Sequence, residues 1–166
     1  MSEDPGEPQA ERRAKRKPAR ESRRQAREAA LQMLYQWEVG KTSIAEVVRT
    51  FWTVGPASEH PLGESLRAFA ATLAEGVVAN LERIDPQLSE SAEHWRLSRM
   101  TVMDRLILRL AVYEFVFETA TPPKVVINEA LELARTFSTD DAVRFINGIL
   151  DAIRRKLEGE GEDETR

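Results

Sequence analysis

The most apolar stretch of the chain reads TVMDRLILRLAVYEFVFE and covers residues 101–118. Its large apolar residues recur every three or four positions, as on one face of an α-helix. They are Leu106, Ile107, Leu110, Tyr113, Val116 and Phe117. Thr101 and Asp104 before this run are typical of a helix start, with a capping hydroxyl and an acid in the first turn. We therefore predict a helix that ends near Glu118 and lies at the centre of the fold.

The helical spacing continues on both sides of this stretch, and no alternating run is long enough to indicate a strand. Upstream, helices are predicted over about 20–38, 43–52, 62–83 and 85–95. Asp85 and Pro86 are typical of an N-cap and a first helical position. Downstream, after the break at 122–123, helices are predicted over about 124–137 and 138–157. The sequence thus predicts an all-α protein of about seven helices joined by short loops.

One glycine stands out within the last predicted helix. Gly148 lies near its middle, where glycine costs about 1 kcal/mol relative to alanine. A close approach of another helix would explain a glycine at this position.

Both ends of the chain differ in composition from the helical region. Residues 1–18 contain three prolines, many charges and almost no large apolar side chain, and residues 158–166 contain two glycines and five acids. Segments of this kind bury too little apolar surface to offset the entropy of ordering. We predict a disordered basic N-terminal arm over 1–18, a helical domain over 19–157 and a disordered acidic tail over 158–166.

Charge is unevenly distributed along the chain. The whole sequence carries a net charge of −4, but residues 1–10 carry −3, residues 11–27 carry +7 and the remainder carries −8. A polyanion would therefore meet a local cationic segment on an acidic body. Because this segment runs into the first predicted helix, Arg20, Arg23, Arg24 and Arg27 would be held in place, which favours nucleic-acid binding over a solvated disordered extension.

The sequence lacks the residue patterns of an enzyme or a metal site. It contains no cysteine, and neither of its two histidines, His60 and His94, has a suitably spaced ligand partner. No glycine-rich phosphate loop is present, and Asp140 and Asp141 suit a helix N-terminus. We therefore expect no catalysis, no cofactor and no metal. The lack of cysteine and of long apolar runs favours a cytoplasmic protein that does not span a membrane.

Two aromatic residues lie beside arginines on predicted helices. Tyr35 falls on the polar side of the first helix, near the azimuth of Arg24. It would either stack on an unpaired RNA base or pack against a neighbouring helix. Phe145 lies beside Arg144, roughly 100° from the centre of the apolar stripe of the last helix, and its pattern favours a flanking core position.

Three blocks of the sequence resemble the NusB family and occur in the family's order. They read RRQAREAALQMLYQW (23–37), DRLILRLAVYE (104–114) and PKVVINEALELAR (123–135), the last continued by STDD (138–141) and RFINGILD (144–151). Together they span most of the chain, whereas residues 42–99 match mainly in pattern. The resemblance implies two packed three-helix bundles. It also implies a transcription antitermination factor for ribosomal RNA operons.

The resemblance also implies partners and site residues. NusB proteins bind the single-stranded boxA element of nascent RNA together with NusE, a small-subunit ribosomal protein, and the pair joins RNA polymerase with NusA and NusG. The residues that match RNA-binding positions are Arg23, Arg24, Arg27, Tyr35, Asp141, Arg144 and Phe145. Tyr35 and Asp104 match the NusE-facing surface. Whether the chain also forms a homodimer stays open.

Three alternatives remain open at this point. The same fold precedes the catalytic domain of some ribosomal RNA cytosine methyltransferases, although this chain leaves no room for a cofactor-binding α/β domain after Leu157. A helical bundle that binds only proteins, with an incidental basic arm, is the second. The third is an arm that binds an anionic membrane, which the lack of a large apolar face on the arm disfavours.

Overall fold

The computed structural model describes residues 9–59, 62–92 and 97–163 of the chain. Within these ranges it contains seven α-helices and no strand: α1 (Gln9–Gly40), α2 (Ile44–Thr50), α3 (Glu64–Ala79), α4 (Leu81–Ser91), α5 (Val102–Phe117), α6 (Pro123–Phe137) and α7 (Asp140–Asp163). Single 3-10 turns lie at Pro56–Ser58 and Leu97–Arg99. The predicted all-α class is confirmed. None of the described helices is long and apolar enough to cross a membrane.

Side-chain caps explain where several helices begin. The Ser43 hydroxyl accepts a hydrogen bond from the backbone N–H of Glu46 at 3.3 Å, which caps the start of α2. Thr101 accepts one from the N–H of Asp104 at 3.2 Å, which confirms the predicted start of α5. Each bond satisfies an N–H group that the first turn of a helix leaves unpaired.

Helix α5 lies between two groups of helices. In the first group, α1, α2 and α3 pack pairwise; in the second, α5, α6 and α7 pack pairwise, and α4 lies against α5 and α7. Helix α5 also contacts α1 and α3, so one helix joins both groups. Its residues Leu106, Ile107 and Leu108 are fully buried. The two packed three-helix bundles are thus confirmed, with α4 as an additional helix on the second.

The break between α3 and α4 lies earlier than we predicted. We expected one helix over 62–83, but α3 ends at Ala79, and Asn80 leaves the helical conformation with φ −122° and ψ 21°. The side-chain amide of Asn80 donates a hydrogen bond to the carbonyl of Gly76 at 2.7 Å. This bond satisfies a carbonyl that the end of α3 leaves unpaired, which explains why the chain turns here.

Asp85 and Pro86 consequently lie inside α4, so the prediction of a helix start at these residues was wrong. The Asp85 carboxylate instead accepts two hydrogen bonds from the guanidinium of Arg109 on α5, each 2.9 Å long. The local signal of an N-cap was therefore overridden by an ion pair between helices. The predicted end of this helix near Trp95, like His60 and His94, lies outside the described residues.

The first and last helices also extend further at their outer ends than we predicted. Helix α1 begins at Gln9 rather than near Arg20, and α7 ends at Asp163 rather than near Leu157. Residues 9–17 are almost entirely Ala, Arg, Lys, Gln and Glu, which are strong helix formers. In α7, Arg154 pairs with Glu158 one turn later at 2.9 Å, which supports the final turns. The division of the chain into arm, domain and tail remains a prediction.

Candidate nucleic-acid interface

Arg23 is the exposed member of the three arginines that we predicted on α1. Its guanidinium carbon lies 4.9 Å from the centroid of the half-buried Phe69 ring on α3. A cation over an aromatic face is attracted by the negative charge density of the ring. Among the side chains that the structure describes, no carboxylate pairs with Arg23. Its charge therefore has a defined position and is available to a phosphate.

Arg24 lies between α1 and α6, where it pairs with a buried acid. Its Nε and Nη2 atoms donate hydrogen bonds to Glu129 at 2.9 and 3.2 Å, and Nη1 lies 3.9 Å from Glu132. The hydrogen bond to Glu129 raises the pKa of the Arg24 guanidinium above its usual value. The side chain remains 32% exposed. Arg24 thus holds α1 against α6 and can present only its outer edge to RNA.

Arg27 is buried, although it matches an RNA-binding position of the family that it resembles. Only 3% of its side chain is exposed, and the same holds for Glu114 on α5, with which it pairs at 2.8 Å. Arg27 Nε also donates to both oxygens of this carboxylate at 3.1 Å. Because the guanidinium is enclosed and already paired, a phosphate cannot reach it in this arrangement. Arg27 is a structural residue that joins α1 to α5.

The acids that hold these arginines were missed by the sequence analysis, although a signal existed. Glu114 and Glu129 each lie among apolar residues at core spacing, and both are 2% exposed or less. A charge at such a position predicts a buried partner, because an unpaired buried charge is very costly. Glu28 is a third carboxylate beside this network, and burial raises its pKa, while the charge of Arg24 opposes that rise.

Tyr35 lies at an apolar groove formed by α1, the α2–α3 connection and the ends of α5 and α6. The groove has a volume of about 330 Å³ and is lined by Leu31, Gln32, Tyr35, Gln36, Phe51, Val54, Ala57, Met103 and Phe137. Tyr35 is 43% exposed and Val54 is 73% exposed. Large apolar side chains that remain exposed around a groove are typical of a protein-docking surface. At this exposure, part of the Tyr35 ring is accessible to a binding partner at the groove.

Asp104 lies next to the same groove but is only 9% exposed. One of its carboxylate oxygens accepts a hydrogen bond from the Ser138 hydroxyl at 2.5 Å, which ties the start of α5 to the turn between α6 and α7. Their chain neighbours Met103 and Phe137 line the groove. Tyr35 therefore lines the groove, whereas Asp104 lies beside it next to the lining residue Met103 and is tied to Ser138.

The predicted residues at the start of α7 divide into two exposed charges and one packed ring. The side chains of Asp141 and Arg144 are 97% and 81% exposed and lie 3.4 Å apart, a distance and exposure typical of a weak surface pair. Phe145 is half-buried and packs against the core, which confirms its predicted flanking position. Arg144 is therefore a second cation that is accessible to RNA.

Two further pairs of arginine and an aromatic ring were not expected from the sequence. The guanidinium carbons of Arg67 and Arg83 lie 5.0 Å from the ring centroids of Trp52 and Phe117, respectively. Arg67 on α3 reaches a ring in the α2–α3 connection, and Arg83 on α4 reaches a ring on α5, so spacing within one helix does not reveal either pair. No group of His, Asp and Glu side chains in the described part of the chain is arranged to hold a metal ion.

Comparison with known proteins identifies the family. The NusB family model matches residues 24–155. The chain is 47% identical over 133 residues to transcription antitermination protein NusB of Koribacter versatilis, which covers 80% of this chain and 88% of the relative. It is similar to a solved structure of T. maritima NusB, with 33% identity, a TM-score of 0.71 and coverage of 80% of this chain and 90% of that one.

A structure of antitermination factors NusB and NusE with double-stranded RNA also contains a similar chain. The TM-score is 0.72, and the match covers 82% of this chain and 98% of that chain. At 24% identity, this likeness supports the fold alone. With the family model matching most of the helical region and a close relative covering four fifths of the sequence, the chain belongs to the NusB family.

Proposed function

We propose that this protein is a transcription antitermination factor that binds boxA-type RNA of nascent ribosomal RNA transcripts together with NusE. The observation that carries the proposal is that one rigid helix presents both binding features. Arg23 is exposed with its charge available, and Tyr35 borders the apolar groove twelve residues later, about 18 Å along α1. A helix that connects a phosphate-binding group to a protein-docking groove suits a factor that binds RNA and a protein at once.

The RNA side of this proposal rests on accessible charge. Arg23, the outer edge of Arg24 and Arg144 would neutralise phosphates, with Asp141 beside Arg144 at the start of α7. Arg27 acts indirectly by holding α1 in place. Because residues 28–166 carry a net charge of −8, the body of the protein opposes RNA binding. The chain alone should therefore bind RNA weakly.

The protein side rests on the groove at Tyr35. NusE would cover Tyr35 and Val54, with Asp104 at the edge, and the two proteins would form a composite RNA surface. The pair would then join RNA polymerase with NusA and NusG in the cytoplasm, without catalysis by this chain. A second copy of the chain would compete for the same groove if a homodimer forms.

We expect NusE to raise the affinity of this protein for boxA RNA by at least tenfold, because it supplies the missing part of the surface. Fluorescence anisotropy with a labelled boxA oligonucleotide, titrated with and without saturating NusE, measures this directly. A scrambled oligonucleotide of equal length serves as the specificity control. Equal affinities with and without NusE would contradict the composite surface.

The same titration repeated at several salt concentrations tests Arg23. For a single strand, each lost phosphate contact lowers the log–log salt slope by about 0.7, and Arg23→Ala should lower it by about that amount. Arg49→Ala is the matched control, because Arg49 is an exposed arginine on α2 that pairs with Glu46 within the same helix. An unchanged slope for Arg23→Ala would remove Arg23 from the interface.

Tyr35→Ala should weaken NusE binding by tenfold or more, because truncating a central aromatic of an interface costs about 1–2 kcal/mol or more. Isothermal titration calorimetry with purified NusE measures the affinity. Val39→Ala is the control, since Val39 is 53% exposed on the same helix but does not line the groove. If both variants bind NusE like the unmodified protein, the groove is not its site; sedimentation of the two variants then shows whether a second copy of the chain uses it.

A further inference from the structure

Helix α1 extends well beyond the part of the chain that the family model matches. The family match begins at residue 24, whereas the helical backbone begins at Gln9, so the helix continues for about 22 Å before the match. Residues 9–22 contain six basic and two acidic residues. This segment carries most of the positive charge of the cationic region, and the shared domain does not account for it.

The basic positions of this extension are aligned with the exposed Arg23. At 100° per residue, positions 12 and 16 fall within about 20° of the azimuth of position 23, and position 20 falls within about 60°. Arg12, Arg16 and Arg20 occupy these positions. On the wheel of a regular helix these positions form a line of cationic residues that leads away from Arg23 and from the groove at Tyr35, with Pro18 between Arg16 and Arg20.

The composition of the extension indicates that its ligand is a polyanion. Like charges three and four residues apart repel each other along a helix, and a bound polyanion would relieve that repulsion. Residues 9–20 contain no large apolar residue, so they offer nothing to bury in a protein core or a lipid bilayer. Because the line begins at the proposed phosphate contact of Arg23, the nearest polyanion is the same RNA strand.

We propose that residues 12–20 of α1 form an accessory site that binds RNA outside the boxA-type segment. Recognition is electrostatic and independent of sequence, through phosphate neutralisation and the release of counterions. This inference rests on the proposed function, since it assumes that RNA already occupies the surface at Arg23. The accessory site would compensate for the acidic body and hold the flanking transcript close to the protein.

The test compares two RNAs and two triple variants in the presence of NusE. One RNA contains only the boxA element, and the other carries oligouridine flanks on both sides. Replacing Arg12, Arg16 and Arg20 with glutamine should lower affinity for the flanked RNA by about tenfold and its salt slope by about 2, at about 0.7 for each contact. Affinity for the short RNA should change by less than twofold. The matched variant with lysine at all three positions should retain flanked-RNA binding, and circular dichroism checks that both variants fold.

Three outcomes would overturn the accessory site: no loss for the flanked RNA, equal losses for both RNAs, or equal losses for the lysine and glutamine variants. Polyglutamate and oligouridine can also be compared as competitors of the flanked RNA. If polyglutamate displaced this RNA from the unmodified protein more effectively than oligouridine, the ligand of residues 12–20 would be an acidic protein instead. Failure of the proposed function looks different. In that case the unmodified protein would bind boxA and scrambled RNA equally, while the glutamine variant would still lose affinity for oligouridine.

Discussion

Glu114→Ala should lower the free energy of unfolding by about 3–5 kcal/mol, because it leaves the Arg27 guanidinium buried without its carboxylate. That loss is large against the total of about 5–15 kcal/mol that holds a domain of this size together. Urea denaturation followed by circular dichroism measures the change. We expect the midpoint of the transition to shift to a lower urea concentration.

An exposed pair and a double variant control this prediction. Arg49→Ala removes the exposed pair with Glu46, where both side chains are about half or more exposed, and should change stability by about 1 kcal/mol or less. Replacing both buried partners, with Arg27→Met and Glu114→Leu, should recover most of the loss, because apolar side chains of similar volume often substitute well for a buried pair. A Glu114→Ala loss as small as that of Arg49→Ala would show that the pair is not buried in solution.

The double variant also decides how Arg27 contributes to RNA binding. It lacks the Arg27 charge and the contact of Arg27 with the Phe69 ring, 5.6 Å from its centroid, but should remain folded with Arg23 over the same ring. If Arg27 acts only by positioning α1, this variant binds boxA RNA with NusE as the unmodified protein does. A lower salt slope in a fully folded double variant would restore Arg27 as a phosphate contact.

Gly76→Ala should destabilise the protein by about 1–3 kcal/mol, because the added methyl group overlaps the ring of Tyr113. A Cβ atom at position 76 would lie 2.3 Å from Cζ, 2.4 Å from Cε2 and 2.5 Å from the hydroxyl oxygen of this ring. Tyr113 is only 7% exposed and stacks on Phe117 with ring centroids 5.1 Å apart, so the ring cannot move aside cheaply. Thermal unfolding followed by circular dichroism shows the loss as a lower Tm.

Gly148→Ala provides a control of opposite sign. No atom lies within 4 Å of a Cβ atom built at this position, and the residue is exposed on α7. Alanine is a better helix former than glycine, so this change should stabilise the protein by up to about 1 kcal/mol. If both alanine variants shift Tm in the same direction, the close approach of α3 to α5 is not the reason why alanine is unfavourable at position 76.

These two glycines also show where the sequence was misleading. Gly148 was expected at a close helix approach, but that expectation was wrong, and Gly76 is the glycine that allows one. Both lie inside helices, and nothing in their chain neighbours distinguishes a glycine that faces solvent from one that faces a ring 37 residues away. The distinction depends on which face of the helix another element covers.

The candidate site divides in a similar way. Family resemblance selected Arg23, Arg24 and Arg27 together, as three arginines within five residues. In the structure Arg23 is an exposed cation, and Arg24 is partly exposed and paired with Glu129. Arg27 is buried and paired with Glu114. Their azimuths on α1 differ, and α3, α5 and α6 cover different sides of that helix. A run of like residues therefore need not share one role.

Local patterns alone determined the helical class, the order of the helices and the caps at Ser43 and Thr101, because helix spacing and capping bonds join residues within four positions of each other. The partners of Arg24, Arg27 and Asp85 lie 105, 87 and 24 residues away along the chain, and only the tertiary structure decided them. These pairings follow from packing, since a charge that is removed from water needs a counterion, and packing determines which one lies nearby. The same packing left Arg23 and Tyr35 uncovered, which made them the exposed features of the candidate interface.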